Sequence, residues 1–119
     1  MRIVPVPCLR DNYAYLLIVG DRAAVVDPSE AAPVQAALAR EGARPVALLS
    51  THHHYDHVGG VPELLAAHPG LPVYGHRFDQ VQARIPSQSV TLDDGQHFDP
   101  FGDGAKTTAT ALYVPGHTL

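Results

Sequence analysis

The stretch that decides the fold is Ser50-Thr51-His52-His53-His54-Tyr55-Asp56-His57-Val58-Gly59-Gly60. It follows Val46–Leu49, a short apolar run typical of a buried strand, and it precedes a helical pattern over Val61–Ala67 with Pro62 in the first turn. Loops that follow the carboxyl ends of strands are where α/β sheets usually place their functional sites. The stretch therefore predicts a strand, a functional loop and a helix in that order.

The histidines of this loop have the spacing of metal ligands. Neutral imidazole is a good zinc ligand, and in an extended segment residues i and i+2 point the same way. We therefore expect His52 and His54 to bind one metal together while His53 points elsewhere. Asp56 and His57 follow as the chain turns, where a carboxylate and an imidazole can hold a second metal. The alternative is a solvated histidine loop that binds metal only adventitiously.

The rest of the chain predicts a mixed α/β architecture with helices on one face of a sheet. A hairpin is expected at Gly20-Asp21, Ser29 is a candidate helix cap, Gly42 a helix stop, and Asp93-Asp94-Gly95 a turn. Strands are predicted over Arg2–Val6, Tyr13–Val19, Ala23–Val26, Pro72–Tyr74, Ser89–Leu92, Gln96–Phe98 and Thr107–Val114, and further helices over Pro33–Glu41 and Arg77–Ala83.

Composition excludes several classes of protein. With 119 residues, 45% of them hydrophobic and 17% charged, the chain supports one domain with a buried core. A net charge of −4 argues against nucleic acid and anionic membranes as partners. The single cysteine excludes an internal disulfide, and the longest apolar run, Ala14–Val19, is too short to span a bilayer. We expect a cytoplasmic protein.

Four motifs together resemble a known family. Thr51–His57 resembles the signature of the metallo-β-lactamase superfamily, and Pro115-Gly116-His117-Thr118 resembles the turn that supplies its next histidine ligand. Asp27-Pro28 is also placed as in that superfamily. Asp11-Asn12-Tyr13-Ala14-Tyr15, after Pro7-Cys8-Leu9, resembles the glyoxalase II branch, the hydroxyacylglutathione hydrolases, although Tyr55 stands where tryptophan is common.

The resemblance implies a set of metal ligands. His52, His54 and His117 would ligate the first metal, and Asp56 and His57 would ligate the second. Family members complete the site with a bridging aspartate and another histidine further along the chain. The expected fold is the amino-terminal half of an αββα sandwich, so residues 1–119 are interpreted as a single, incomplete metallo-β-lactamase-like domain.

The implied reaction is hydrolysis of a glutathione thioester such as S-lactoylglutathione. Two zinc ions, or iron or manganese, would generate hydroxide near neutral pH and stabilise the oxyanion. Asp56 is interpreted as a ligand, with a general-base role as the alternative. Asp27 is a candidate for orienting a ligating histidine, with a simple strand-end turn as the alternative. The sequence does not identify substrate-binding residues.

Other functions stay open on the same residues. One is a different thioesterase of this fold, or a persulfide dioxygenase-like enzyme that uses a single iron and oxygen. Another is an inactive metal-binding fragment, which would expose apolar sheet surface and self-associate. Cys8 is expected to be a small buried residue, and Asp11–Tyr13 a turn and strand start. Surface positions are expected for His68, His76 and His97.

Overall fold

The computed structural model describes residues 1–51, 58–76, 88–101 and 109–110. The predicted helix over Arg77–Ala83 and most of the predicted strand Thr107–Val114 lie outside these residues. The helices are α1 (Ala31–Glu41) and α2 (Val61–Ala67). The strands are β1 (Arg2–Cys8), β2 (Asn12–Val19), β3 (Arg22–Val26), β4 (Arg44–Leu49), β5 (Val73–His76), β6 (Val90–Leu92), β7 (His97–Phe98) and β8 (Ala109–Thr110).

Six of these strands form a mixed sheet in the order β1-β2-β3-β4-β5-β6. Strands β1, β2 and β3 are antiparallel neighbours, joined by the turns 9–11 and Gly20-Asp21. Strands β3 to β6 are parallel. Pro5 and Pro7 lie in β1, at one edge of the sheet. Proline is tolerated in an edge strand because one side of that strand has no neighbour to pair with its N–H groups. The predicted mixed sheet is confirmed.

Five strands of the sheet end on the same side. Since β2 is antiparallel to both β1 and β3, β1 runs in the direction of β3, as do β4, β5 and β6. The last residues of these strands are Cys8, Val26, Leu49, His76 and Leu92. We call the region that follows them the carboxyl end of the sheet. Thr51 lies there, two residues after β4 ends, and the sequence continues with His52–His57, which we call the histidine segment.

One face of the sheet carries both helices. Val34 and Leu38 of α1 and Val61 and Leu64 of α2 belong to one buried cluster with side chains of β1 to β5. Cys8 is buried in the same cluster, as expected. The alternation along β2 explains the pattern, because Ala14, Leu16 and Ile18 face the helices. The prediction of helices on one face is confirmed.

The opposite face is covered unevenly. Phe101 packs on Ala24 and Ala47 at the middle of the sheet. Towards the β1 edge, however, Ile3, Tyr13 and Tyr15 remain 59%, 51% and 41% exposed. The register places Pro5 beside Tyr15 and Pro7 beside Tyr13, so these apolar residues form one continuous surface.

Helix α1 begins earlier than the sequence predicts. Its N-cap is Glu30, without a side-chain cap hydrogen bond, and the helix starts at Ala31 with Pro33 inside its first turn. The expectation that Ser29 caps the helix is wrong, because its hydroxyl is buried and turns towards the Asp27 carbonyl oxygen, 3.5 Å away. The predicted stop at Gly42 is confirmed by its left-handed φ of 64°.

Candidate metal centre

The residues predicted to bind metal fall on parts of the chain that the structure does not describe. His52, His54, Asp56 and His57 lie between the described Thr51 and Val58, and His117 lies beyond Thr110. Their ligand roles therefore stay predictions. The described residues themselves contain no cluster of three or more His, Cys, Asp or Glu arranged to hold a metal. The structure does describe the frame on both sides of the histidine segment.

Asp27 fixes the start of that segment. It follows β3, is only 6% exposed, and has a left-handed φ of 50°. Its backbone N–H donates to the Leu49 carbonyl oxygen at 2.9 Å. Its carboxylate accepts two hydrogen bonds from Thr51, from the backbone N–H to Oδ1 at 2.7 Å and from the hydroxyl to Oδ2 at 2.6 Å. Asp27 thus holds the residue immediately before His52.

This geometry defines how Asp27 can influence a metal site. Its carboxylate binds the backbone and side chain of Thr51, so it positions the chain that enters the histidine segment. Hydrogen bonds to a charged carboxylate are among the stronger ones in proteins. Asp27 therefore joins β3 to the loop after β4. A role in orienting a ligating histidine stays a prediction.

Gly60 fixes the other side of the segment. Its N–H donates to the Pro28 carbonyl oxygen at 2.7 Å. A Cβ on Gly60 would lie 2.7 Å from that oxygen and 2.7 Å from the Glu30 carbonyl carbon, closer than side chains pack. Its φ of −88° is ordinary for any residue. Glycine is needed here for close backbone approach.

Glu30 connects the same loop to a third element. Its carboxylate accepts a hydrogen bond from the backbone N–H of Leu9, in the turn between β1 and β2. Leu9 also has a left-handed φ, of 53°. The segment 27–30, which we call the β3–α1 loop, therefore contacts the β1–β2 turn, Thr51 and Gly60. Two connections at the carboxyl end of the sheet, the β1–β2 turn and the one between β4 and α2, are bound to one short segment.

A buried hydroxyl lies beside the histidine segment. Ser50 is 8% exposed, its backbone N–H donates to the Tyr74 carbonyl oxygen at 3.0 Å, and its Oγ has no hydrogen-bond partner within the described ranges. Buried hydroxyls normally have a partner, so this one marks a place where a further polar group fits. On the neighbouring strand, burial and then the Asp99 carboxylate raise the pKa of the Tyr74 phenol.

Sequence reasoning placed several residues correctly and missed others. The turn at Asp93–Gly95 and the exposed position of His97 are confirmed. His68 is half-buried, not at the surface, with Nε2 3.0 Å from Gln35 Oε1. His76 ends β5 at the carboxyl end of the sheet. The roles of Glu30 and Thr51 were missed, and the only hint was their position beside Asp27-Pro28 and His52.

Donor chemistry and position both fit a metal site. Imidazole and carboxylate are the ligands that zinc, iron and manganese accept. Thr51, which Asp27 holds, follows β4 at the end of the sheet where α/β folds bind ligands. The candidate ligands come next in the sequence: His52, His54, Asp56 and His57. The residues available therefore fit a divalent metal.

Comparison with known proteins agrees with this fold. A hydroxyacylglutathione hydrolase of Synechococcus sp. (strain JA-2-3B'a(2-13)) is 49% identical over 99% of this chain. A B3 metallo-beta-lactamase, BLEG-1, superposes on 98% of this chain and 63% of its own with a TM-score of 0.77 and 24% identity, which shows the fold alone. A protein crystallised in a di-iron-bound form matches 96% of this chain and 62% of its own, with a TM-score of 0.73 and 31% identity.

These matches confirm the family that the motifs indicated. The chain spans 45% of the length of the Synechococcus relative. No helix in the described part of the chain is long and apolar enough to cross a membrane. The metallo-beta-lactamase superfamily matches residues 9–118, which is nearly the whole sequence. The chain belongs to the metallo-beta-lactamase superfamily.

Proposed function

We propose that this chain carries the metal-binding half of a hydrolase that cleaves glutathione thioesters of the S-lactoylglutathione type. One observation carries the proposal. The segment His52–His57 starts beside a residue that Asp27 holds at the carboxyl end of the sheet, in a chain 49% identical to a protein named hydroxyacylglutathione hydrolase. That name describes the relative, and we extend it to this chain by similarity.

In this proposal the predicted ligands keep their roles. His52, His54 and His117 hold one divalent metal, and Asp56 and His57 hold a second. Zinc is the metal we propose, and iron is supported by the related protein crystallised in a di-iron-bound form. A metal bound by these residues would supply Lewis acidity, which would lower the pKa of water and stabilise negative charge on the thioester oxygen.

The protein's own residues supply position. Asp27 holds Thr51, and Gly60 holds the β3–α1 loop, so hydrogen bonds within the protein fix both sides of the histidine segment. A thioester suits such a site because its leaving thiolate has a pKa of about 8.5 and departs without a strong general acid. Asp56 is therefore needed as a ligand more than as a base.

Two further parts of the proposal concern the protein's surroundings. A cytoplasmic location is proposed because thiols such as glutathione are kept reduced there.

Self-association is proposed because Ile3, Tyr13 and Tyr15 form an apolar surface and are 59%, 51% and 41% exposed. Analytical ultracentrifugation of wild type and of Tyr15→Ser tests this: the variant is expected to shift towards monomer.

The test of function is thioester hydrolysis by the metal-loaded chain. We expect zinc-dependent loss of S-lactoylglutathione, abolished in the triple variant His52→Ala, His54→Ala, Asp56→Ala. The exposed His97→Ala is the matched control and is expected to keep full turnover. Equal turnover by the triple variant, or no turnover with metal bound, overturns the proposal. Oxygen uptake with glutathione persulfide would instead indicate the dioxygenase chemistry.

A further inference from the structure

One arginine in the described part of the chain differs from the others. Arg10 lies in the exposed β1–β2 turn and has neither an ion pair nor a hydrogen-bond acceptor for its guanidinium among the described residues. The other four described arginines all have an acceptor within 4.0 Å: Glu41 for Arg2 and for Arg40, the Phe101 carbonyl oxygen for Arg22, and Asp21 for Arg44.

The turn that carries Arg10 lies at the same end of the sheet as the candidate site. It follows β1 at the carboxyl end of the sheet, the same end at which the histidine segment follows β4. Its backbone is tied to the β3–α1 loop, because the Leu9 N–H donates to the Glu30 carboxylate. Three residues before Glu30, Asp27 holds Thr51. Arg10 therefore follows a residue, Leu9, that is bound to the β3–α1 loop, and the same loop binds Thr51 just before the histidine segment.

An exposed guanidinium in this place is suited to an anionic ligand. The planar fork of arginine binds carboxylates through two parallel hydrogen bonds. Two carboxylates lie near Arg10: Asp11, which is exposed, and Glu30, which accepts the hydrogen bond from the Leu9 N–H. Neither makes an ion pair with Arg10 among the described residues. A glutathione thioester brings two carboxylates on the thiol side of its scissile bond, either of which would supply the acceptor that Arg10 lacks.

We propose that the β1–β2 turn forms one wall of the substrate site and that Arg10 binds a carboxylate of the substrate's glutathione moiety. This inference rests on the proposed function, from which it takes the substrate class. Arg10 is a specificity-determining residue in this account: it contacts the substrate away from the reacting carbonyl. It favours carboxylate-bearing thioesters over uncharged ones.

The experiment measures binding of S-methylglutathione, which cannot be hydrolysed, to the metal-loaded full chain by NMR titration. We expect shifts at Leu9, Arg10 and Asp11, and about tenfold weaker binding for Arg10→Ala, with Arg10→Lys in between. The dimethyl ester of the same ligand is expected to bind wild type and Arg10→Ala equally. The matched control is Arg40→Ala, an exposed arginine whose helix ends at the opposite end of the sheet.

Three results would overturn the inference: equal binding by wild type and Arg10→Ala, an equal loss for the dimethyl ester, or no binding by wild type. Turnover of S-lactoylglutathione and of the uncharged S-acetyl-N-acetylcysteamine separates this inference from the proposed function. Hydrolysis of both with an unchanged KM in Arg10→Ala overturns the role of Arg10 and keeps the function. Arg10-dependent binding without hydrolysis of either overturns the function and keeps the anion site.

Discussion

The β3–α1 loop and the β1–β2 turn lie at the same end of the sheet, and each contains a non-glycine residue in the left-handed region. Asp27 has φ 50° and Leu9 has φ 53°. Asp27 is 6% exposed and makes four described hydrogen bonds, whereas Leu9 is 45% exposed and makes one, to Glu30. A left-handed conformation costs an ordinary residue about 1–2 kcal/mol. The comparison indicates that the loop is scaffold and that the turn is available for contact.

The sharpest way to break this comparison is the same replacement at both positions. Glycine tolerates a left-handed φ, so Asp27→Gly removes the carboxylate without adding strain. We expect Asp27→Gly to lower the free energy of unfolding by about 2–3 kcal/mol, because Thr51 loses two acceptors. Leu9→Gly is the control and is expected to stay within about 0.5 kcal/mol, since relief of strain offsets chain entropy. Urea unfolding measures both, and equal losses would contradict the distinction.

Gly60 tests the contact between the β3–α1 loop and the far side of the histidine segment. Gly60→Ala is expected to cost about 2 kcal/mol, because its Cβ meets backbone that cannot move freely. Gly20→Ala is the matched control: its φ is 62° and a Cβ there meets nothing within 4 Å, so it pays only conformational strain of about 1 kcal/mol. Only Gly60→Ala should also weaken metal binding. A loss of metal affinity in both variants would mean that global stability is responsible.

Variants of Thr51 distinguish the contributions of the two hydrogen bonds that the Asp27 carboxylate accepts. Thr51→Val keeps the backbone N–H and removes the hydroxyl, so we expect a loss of about 1 kcal/mol in the free energy of unfolding. Thr51→Ser retains the hydroxyl and is expected to match wild type closely. If valine is as stable as serine, the hydroxyl bond to Oδ2 contributes nothing and the backbone bond alone holds the segment.

Glu30 is expected to give the smallest effect, because its bond to Leu9 is exposed to water. Glu30→Ala should cost about 0.5 kcal/mol in global stability. The local readout is sharper: the Leu9 amide should exchange with solvent measurably faster, while Glu30→Gln keeps an acceptor oxygen and much of the protection. Unchanged exchange in Glu30→Ala would show that the turn is not tied to the loop.

The architecture could be predicted from the sequence because the patterns that indicate its strands, helices and turns are local. Alternation along β2, the helical spacing before Gly42 and the turn at Gly20-Asp21 are each set within a few residues. The boundaries were less accurate: β5 continues to His76, two residues beyond the prediction, because its parallel pairing with β6 continues to Leu92. Pairing between distant strands is not written in the local pattern.

The contacts of the candidate site were harder to predict for the same reason. Asp27 and Thr51 are 24 residues apart, and they meet only because β3 and β4 are parallel neighbours that end together. Glu30 and Leu9 are 21 residues apart and depend on the direction of β1. The motif indicates which side chains can bind metal, whereas the sheet topology determines which residues hold that motif in place.

We infer that the β3–α1 loop holds the histidine segment in position to bind metal. The most direct test is zinc affinity, measured by chelator competition on wild type, Asp27→Gly and the control Asp21→Gly, whose side chain is 73% exposed at the other end of the sheet. We expect Asp27→Gly to bind zinc at least about tenfold more weakly than wild type, with Asp21→Gly unchanged. Equal affinities in wild type and Asp27→Gly, or no zinc retained by the wild-type chain, would contradict it.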